Sequence, residues 1–254
     1  MSPARPIVSF IVPALNEERH IENTMRTILE AVAASRLPGY EIVMVDDGSA
    51  DKTGALMDRL AAENQNARVI HNRHNLGFGA AYKVGVAAAT GEYVMIIAGD
   101  NLMPASSITS ILNLLGQADI ILPYMTDSRF RPLVRRIASW TFARIINVLF
   151  GHPIRYYNSM VPRRNLLNRI TIQASGYSLQ AECIVKMLRG GASYKQIGVA
   201  HGHALAKSGS HALRPKNIVN VFKGIFKLIC ETRRSAEPSA SPKSNNSTVA
   251  ERDS

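Results

Sequence analysis

Two short apolar runs, each ending abruptly in carboxylates, constrain this chain more than any other feature. Ile7-Val8-Ser9-Phe10-Ile11-Val12 stops at Pro13-Ala14-Leu15-Asn16-Glu17-Glu18, and Ile42-Val43-Met44-Val45 stops at Asp46-Asp47-Gly48-Ser49. Runs this short and this rich in β-branched residues read as strands buried on both faces, the kind found in parallel sheets. A helix-like stretch follows each run. The polar groups therefore sit at carboxyl ends of strands, where open α/β sheets bind ligands. Paired acids are poor direct partners for phosphate. They suit hydrogen-bond donors on a base or ribose, and they suit a metal that bridges phosphates. The chemistry implied is recognition of an activated nucleotide.

The alternation continues through the first half. Strands are expected at 7–12, 41–46, 68–70, 93–97 and 119–122, and helices at 17–35, 51–64, 77–89 and 104–116. Ser49 or Asp51 serves as the cap of the second helix, and Pro104 opens the fourth. This βαβα order implies a mostly parallel sheet with helices on both faces. The second half is less regular. Residues 133–150 read as one amphipathic helix with Val134, Ile137, Thr141, Ile145 and Val148 on one face and Arg136, Trp140 and Arg144 on another. That suits an ordinary surface helix, and equally one lying at a lipid headgroup boundary. Residues 216–230 read as a second basic amphipathic helix. Residues 235–254, rich in Ser, Pro, Asn and charge, are expected to be disordered. The expectation is a single domain over 1–234, divided at 127/128 into a nucleotide-binding half and a basic half, with a tail over 235–254.

Charge divides the chain at the same place. Residues 1–127 carry 9 Lys and Arg against 14 Asp and Glu, net −5. Residues 128–230 carry 17 basic side chains and one acid, Glu182, net +16. So steep a bias favours an anionic partner: nucleic acid, a phosphorylated acceptor or an anionic lipid surface. Nucleic-acid binding would account for the charge but not for the first half. No apolar run approaches the ~18–20 residues of a membrane span. The N-terminal run leads into Asn-Glu-Glu without a small-residue cleavage site and reads as a strand rather than a signal peptide. Cys183 and Cys230 are too few for a disulfide framework or a zinc cluster, which makes a reducing cytoplasm the default.

Gly77-Phe78-Gly79 opens a helix after a strand, and Asp100 ends the next strand, which imitates a dinucleotide fingerprint. The unit is the third strand of the chain rather than the first, and Tyr82 stands where the third glycine belongs. A tight turn and close helix packing explain these glycines better.

Taken together, VSFIVPALNEE, VMVDDGSADKT, NLGFGAAYKVGVAAATGEYV and IIAGDNLMP resemble the family 2 glycosyltransferases in order and spacing, most closely the dolichyl- or polyprenyl-phosphate sugar synthases. The resemblance is strong over residues 7–125 and weak over 126–215. It implies a GT-A fold, Rossmann-like, with added C-terminal amphipathic helices, a nucleotide-sugar donor and Mg²⁺ or Mn²⁺. By motif position, Pro13, Ala14 and Glu17 line the nucleoside pocket, Asp47 bonds the base or ribose with Asp46 beside it, and the segment from Asn75 to Gly79, with Asn75, Gly77 and Gly79 as its named residues, flanks the base. The family's Asp-x-Asp metal motif falls on Ala98-Gly99-Asp100, which leaves Asp100 alone to reach a metal and weakens the case for metal dependence. Arg129, with Arg131 second, matches the position that holds an acceptor phosphate. Lys207 and His211 stand in for the basic residues of a loop over the donor diphosphate. Glu182 falls in the family's aromatic-x-x-Glu helix start.

The resemblance further implies inverting, in-line transfer to an acceptor. A polyprenyl phosphate at the cytoplasmic membrane face needs no base, whereas a sugar hydroxyl would use Glu182. Neutralising nearby arginines is the competing role for Glu182. Peripheral attachment to an anionic membrane is expected, and a membrane-protein partner in the same pathway is compatible with it. Ala98 supports a rival reading, a non-catalytic nucleotide-sugar-binding partner with a decayed metal site.

Overall fold

A computed structural model describes residues 6–35, 37–126, 133–155, 159–174 and 179–200. The first four strands are β1 (Val8–Ala14), β2 (Tyr40–Asp46), β3 (Ala67–His71) and β4 (Tyr93–Ile96), all parallel in the order β3-β2-β1-β4. Helices α1 (Ile21–Ser35), α2 (Thr53–Glu63), α3 (Phe78–Ala88) and α4 (Ala105–Leu112) follow them in turn. Next, β5 (Ile120–Met125) pairs in parallel with β7 (Tyr194–Val199) and antiparallel with the short β6 (Val161–Pro162). An antiparallel bridge between Tyr93 and Arg163 ties β6 to β4. The strands thus run β3-β2-β1-β4-β6-β5-β7, with β1 and β2 central in the first group. The remaining helices are α5 (Leu133–Phe150), α6 (Arg164–Leu167) and α7 (Leu179–Arg189).

The sheet is buried on both faces, as the unbroken apolar runs require. Alternate residues of β1 show it: Phe10 and Val12 join one core with Ile21, Ile28, Met57 and Ile108 of α1, α2 and α4. Ile11 joins the other with Tyr82 of α3, Ile146 of α5 and Ile184 of α7. All four expected helices of the first half form, with ends that differ. The first begins at Ile21 rather than at 17, because 17–20 is a turn in which the His20 and Ile21 N–H groups both donate to the Glu17 carbonyl. The N-cap of α2 is Lys52, without a side-chain cap bond. Asp51 still does capping work one residue earlier, accepting from the Thr53 N–H at 2.9 Å. The fourth helix ends at Leu112, and turns carry the chain to Gly116.

α5 forms over the expected residues. Its sheet-facing side is Ala143 and Ile146, flanked by Phe142 and Phe150. Of the apolar face read from the sequence, Ile137 and Val148 are exposed, as are Leu133 and Trp140. Val134's side chain lies outside the described residues. The helix carries two apolar stripes, and periodicity cannot say which one meets the sheet. The expected 216–230 helix, the 235–254 tail, and the second half of the proposed domain beyond Ala200 also lie outside the described residues.

One stabilising feature escaped the sequence reading altogether. Glu41, at the start of β2, is 6% exposed. Its Oε1 accepts from Ser9 Oγ, the Thr90 N–H and hydroxyl, and the Gly91 N–H, and its Oε2 accepts from Arg68 Nη1 at 2.7 Å. Burial works to raise its pKa, but the hydrogen bonds from Ser9, Thr90 and Arg68 outweigh it and hold the carboxyl below the usual range. The network clamps β1, β2, β3 and the turn before β4 at the amino-terminal edge of the sheet. Glu41→Ala strands several buried donors and should cost about 3 kcal/mol by urea denaturation. Since the folded pKa is depressed, this stabilisation is present above the unfolded carboxylate value and lost as pH falls through the folded one. The gap between wild type and variant should therefore narrow in acid.

Candidate active site

The carboxyl ends of β1, β2 and β4 meet on one edge, and their loops are laced together. The Asp47 N–H donates to the Ala14 carbonyl at 2.9 Å and the Gly99 N–H to the Pro13 carbonyl at 3.1 Å. Gly99 allows this approach, because a Cβ there would lie 2.8 Å from the Ala14 Cβ. The loop after β1 is locked to the loop after β2. The Asn16 N–H donates to Ser49 Oγ, the Ala50 N–H to Asn16 Oδ1, and the Glu17 N–H to Thr53 Oγ1 at 2.8 Å. Asn16 takes a left-handed backbone with φ 56°, which asparagine tolerates better than most residues.

Asp47 is the hub of this edge. Its side chain is buried at 3% exposure. Oδ1 accepts from Asn72 Nδ2 at 2.8 Å and the Leu76 N–H at 3.0 Å, and Oδ2 accepts from the Gly77 N–H at 2.8 Å. Asn75 Oδ1 shares that same Gly77 N–H. Gly77 has φ 88°, a conformation that costs other residues, and it starts α3 from the loop that Asp47 holds. Asp46, beside it, accepts from the Ser49 N–H through Oδ1 and meets His71 Nδ1 at 3.0 Å through Oδ2. His71 Nε2 in turn lies 3.0 Å from Asp58 Oδ1 of α2.

These contacts give the residues named by motif position a structural part. Pro13, Ala14, Asp46, Asp47 and Gly79 are all buried. They frame this edge, where the Pro13 and Ala14 carbonyls and the Asp46 and Asp47 carboxylates accept from neighbouring strands and loops. The surface at this edge is made by Glu17 and Asn75, with Leu76 and Phe78 of the segment expected to flank the base, and by Leu15, which the sequence reading did not single out; Phe78 is 50% exposed. Exposed large apolar residues at loop tips, between turn-forming Asn and Gly, were the available signal. Glu17 Oε2 lies 2.9 Å from His20 Nδ1.

Beyond the β4 end, a cleft of about 170 Å³ opens. Ala98, Asp100, Met103, Tyr124, Val199, Ser159, Gln180 and Phe78 are among the residues that line it. Most of its wall is apolar, and Asp100 is its carboxylate. Asp100 Oδ1 accepts from the Leu102 N–H at 3.3 Å. Asn101, left-handed with φ 54°, accepts from Thr27 Oγ1 through its Oδ1 at 3.0 Å and holds the turn, so that oxygen is not a ready metal ligand.

The donor set for a divalent ion is correspondingly small. Among the described residues no group of three or more His, Cys, Asp or Glu side chains is placed to hold a metal. The residues fit a hard cation only in a shared site, in which Asp100 supplies one oxygen and a bound diphosphate and water supply the others. When bound there, the ion would neutralise diphosphate charge.

Glu182 is 7% exposed, in the first turn of α7. Its Oε1 accepts from Lys186 Nζ at 2.6 Å and the Gln173 N–H at 3.1 Å, and its Oε2 from the Ala174 N–H at 2.8 Å. Burial works to raise its pKa, but these bonds outweigh it and keep the group below the usual carboxylate range. It does not line the Asp100 cleft. Its neutralising partner is Lys186 rather than the arginines expected. The neighbouring Cys183 is buried, which pushes its thiol up to about 12. Arg129, Arg131, Lys207 and His211 lie outside the described residues, as does Cys230.

Residues 9–172, well over half the chain, match the sequence profile of glycosyl transferase family 2. The chain belongs to that family. Glycosyltransferase AglD of Haloferax volcanii is 33% identical over 158 residues, covering 61% of this chain and 23% of the relative. Dolichyl-phosphate beta-glucosyltransferase ALG5D of Trichomonas vaginalis is 33% identical over 110 residues, 42% of this chain and 34% of the relative. The match thus spans roughly a quarter to a third of these relatives' length. Undecaprenyl-phosphate 4-deoxy-4-formamido-L-arabinose transferase of Pectobacterium carotovorum is 23% identical over 89% of this chain and 68% of the relative. Among solved structures, glucosyl-3-phosphoglycerate synthase of Mycobacterium tuberculosis, in complex with Mn²⁺, UDP and phosphoglyceric acid, superposes with a TM-score of 0.64 at 19% identity, covering 89% of this chain and 79% of that one. These neighbours establish the GT-A fold.

The Asp46–His71–Asp58 bridge makes a prediction of its own. Hydrogen bonds to Asp46 and then to Asp58 raise the His71 pKa, while burial opposes the shift only in part. Asp46 is held low by Ser49 and His71 in spite of its burial. With the folded His71 pKa above its unfolded value of ~6.5, the stabilisation is complete below that value and is lost as pH rises through the folded one. His71→Ala should therefore lower the urea midpoint more at pH 6 than at pH 8.5. An equal loss at both would remove the charged bridge.

Proposed function

We propose that the protein is a glycosyltransferase that takes a nucleotide-sugar donor at the β1/β2/β4 edge and transfers the sugar, with inversion, to a polyprenyl phosphate at a membrane surface. The observation that carries the donor assignment is the laced strand-end frame around Asp47 opening into the Asp100 cleft. It offers apolar surface for a base at Leu15, Leu76 and Phe78, and a carboxylate for a metal-bridged diphosphate at Asp100. Two related proteins, the dolichyl-phosphate and undecaprenyl-phosphate transferases, are named for a lipid phosphate, which supports such an acceptor here. Glu182 supports that reading too. Its oxygens are committed to Lys186 and to the 173–174 backbone, and an acceptor that is already an anion asks for no base. Transfer would rest on positioning and on charge stabilisation of the leaving diphosphate, with Asp100 as its metal-facing group and Mg²⁺ or Mn²⁺ as the ion. Arg129 and Arg131 are the proposed acceptor-phosphate residues, and Lys207 and His211 the proposed donor-diphosphate residues. The non-catalytic alternative rests on Ala98.

Membrane attachment belongs to the same proposal. Leu133, Ile137, Trp140 and Val148 lie along one exposed side of α5, with Arg136 and Arg144 exposed beside them, and Trp140 is 67% exposed. No helix among the described residues is long and apolar enough to cross a membrane. An apolar stripe flanked by cations suits shallow insertion into an anionic surface, and the net +16 of residues 128–230 adds attraction of about 1 kcal/mol per well-placed cation, screened by salt. The proposed location is the cytoplasmic face of the membrane.

Two measurements test this. In a transfer assay with undecaprenyl phosphate and Mn²⁺, scanned across nucleotide sugars, Asp100→Asn should lower the rate by about a hundredfold or more. Full activity of the variant in chelator would overturn the metal role. In flotation with phosphatidylglycerol vesicles, wild type should rise with the vesicles at low salt and keep a salt-resistant share. Ile137→Glu with Trp140→Glu should lose that share. Recovery of all wild-type protein in the soluble fraction would move the acceptor to a soluble phosphate ester.

A further inference from the structure

The lining of the Asp100 cleft contains an unmade hydrogen bond. Gln180 lines this cleft from the first turn of α7, and its Oε1 is buried without a hydrogen-bond partner, the only such side-chain atom among the described residues. Its position is fixed by its neighbours. Leu179 is buried in the core on one side, and Ala181 and Glu182 on the other, with Glu182 tied to Lys186 and to the 173–174 backbone. The side chain therefore cannot swing away from the cleft by unwinding the helix start at low cost. Buried polar atoms in native proteins are almost always satisfied. An exception in a side chain that lines a cleft marks a place where a ligand can complete the set, once a turn of the amide brings the closed-off oxygen to the cleft surface.

From this we infer that Gln180 accepts a hydrogen bond from a hydroxyl of the sugar being transferred, and so helps set which donor sugar is used. The inference rests on the donor-site reading above. An amide oxygen is an acceptor only, so its partner must be a donor; a phosphate oxygen cannot serve. Sheet order places the groups in the right sequence. The frame assigned to the nucleoside stands at the ends of β1 and β2, Asp100 follows the end of β4, and Gln180 lines the same cleft as Tyr124 of β5 and Val199 of β7, strands that lie farther along the sheet. Nucleoside, diphosphate and sugar are joined in that same order. The apolar surface of Ala98 and Met103 would exclude water there and strengthen a single polar contact.

Gln180→Met tests this, because it keeps the length of the side chain and removes the acceptor. Calorimetric titration of the full chain in Mn²⁺ would use UDP-glucose against UDP and GDP-mannose against GDP. For the pair that wild type binds, the variant should lose about tenfold in affinity for the nucleotide sugar. Its affinity for the matching nucleoside diphosphate should change less than about twofold. Its melting temperature without ligand should not fall, since an unpaired buried oxygen has been replaced by an apolar group. Gln180→Ala should show the same split in affinities. Equal effects on nucleotide sugar and diphosphate in both variants, whether none or complete loss, overturn the inference, as does a drop in the melting temperature of the Met variant. Wild type that binds none of the four ligands overturns the donor-site reading and this inference with it. Wild type that binds, beside a Met variant indistinguishable from it, overturns the inference alone.

Discussion

The carboxylate of Asp47 stands at the end of β2, shut off from water, and holds three donors from the segment that leads from β3 into α3. Two of the three are backbone N–H groups of the turn itself, at Leu76 and Gly77. Without that carboxylate they would lie against buried surface unpaired. The turn leaves Leu76 and Phe78 exposed, Phe78 as part of the cleft lining, while Gly79 is buried. The Asp47 N–H also reaches back to Ala14, so the same residue joins β1 to β2 and β2 to α3. The base of the pocket is braced by this residue on the β1, β2 and α3 side and by the Gly99–Pro13 bond on the β4 side. A binding edge built from strand ends and locked loops can meet a ligand without first paying for its own ordering.

Around that frame the protein separates its charges by function. The half that forms the frame is net negative, and its best-placed acid, Asp100, faces a small apolar cleft where one carboxylate and a metal can meet a diphosphate. The other half is strongly basic and displays on α5 an apolar stripe between arginines. Its single acid in residues 128–230, Glu182, is absorbed internally by Lys186 and two backbone amides. A net-negative half that can hold a cation and a net-positive half that can hold anions suit the proposed reaction, in which both substrates carry phosphate.

How much of this could be read in advance depended on the range of the interactions involved. The strand ends were legible, because an apolar run and the carboxylate that stops it are neighbours in sequence. So were four of the helices, through periodicity and through Pro104 at the start of one. β6, β7 and α7 were not assigned. β6 has only two residues and owes its place to pairing with β5 and to the bridge at Tyr93. The facing of α5 was not legible because two stripes compete on one helix, and only the sheet decides between them. At the site, sequence position pointed to Asp47, whose partners lie 25 to 30 residues away, and that distance hid its framing role. Glu41 and Gln180 were invisible for the same reason. What makes each notable is a set of neighbours, or the lack of one, brought together by the fold.

The central claim is that the laced ends of β1, β2 and β4 hold a nucleoside diphosphate with its phosphates toward Asp100. A crystal structure of the full chain with UDP or GDP and Mn²⁺ tests it most directly. The account predicts the base beside Leu76 and Phe78, outside the Asp47 frame, and the metal in contact with one Asp100 oxygen and with phosphate oxygens. A nucleotide bound away from this edge, or a metal held at the β4 end without Asp100, would contradict it.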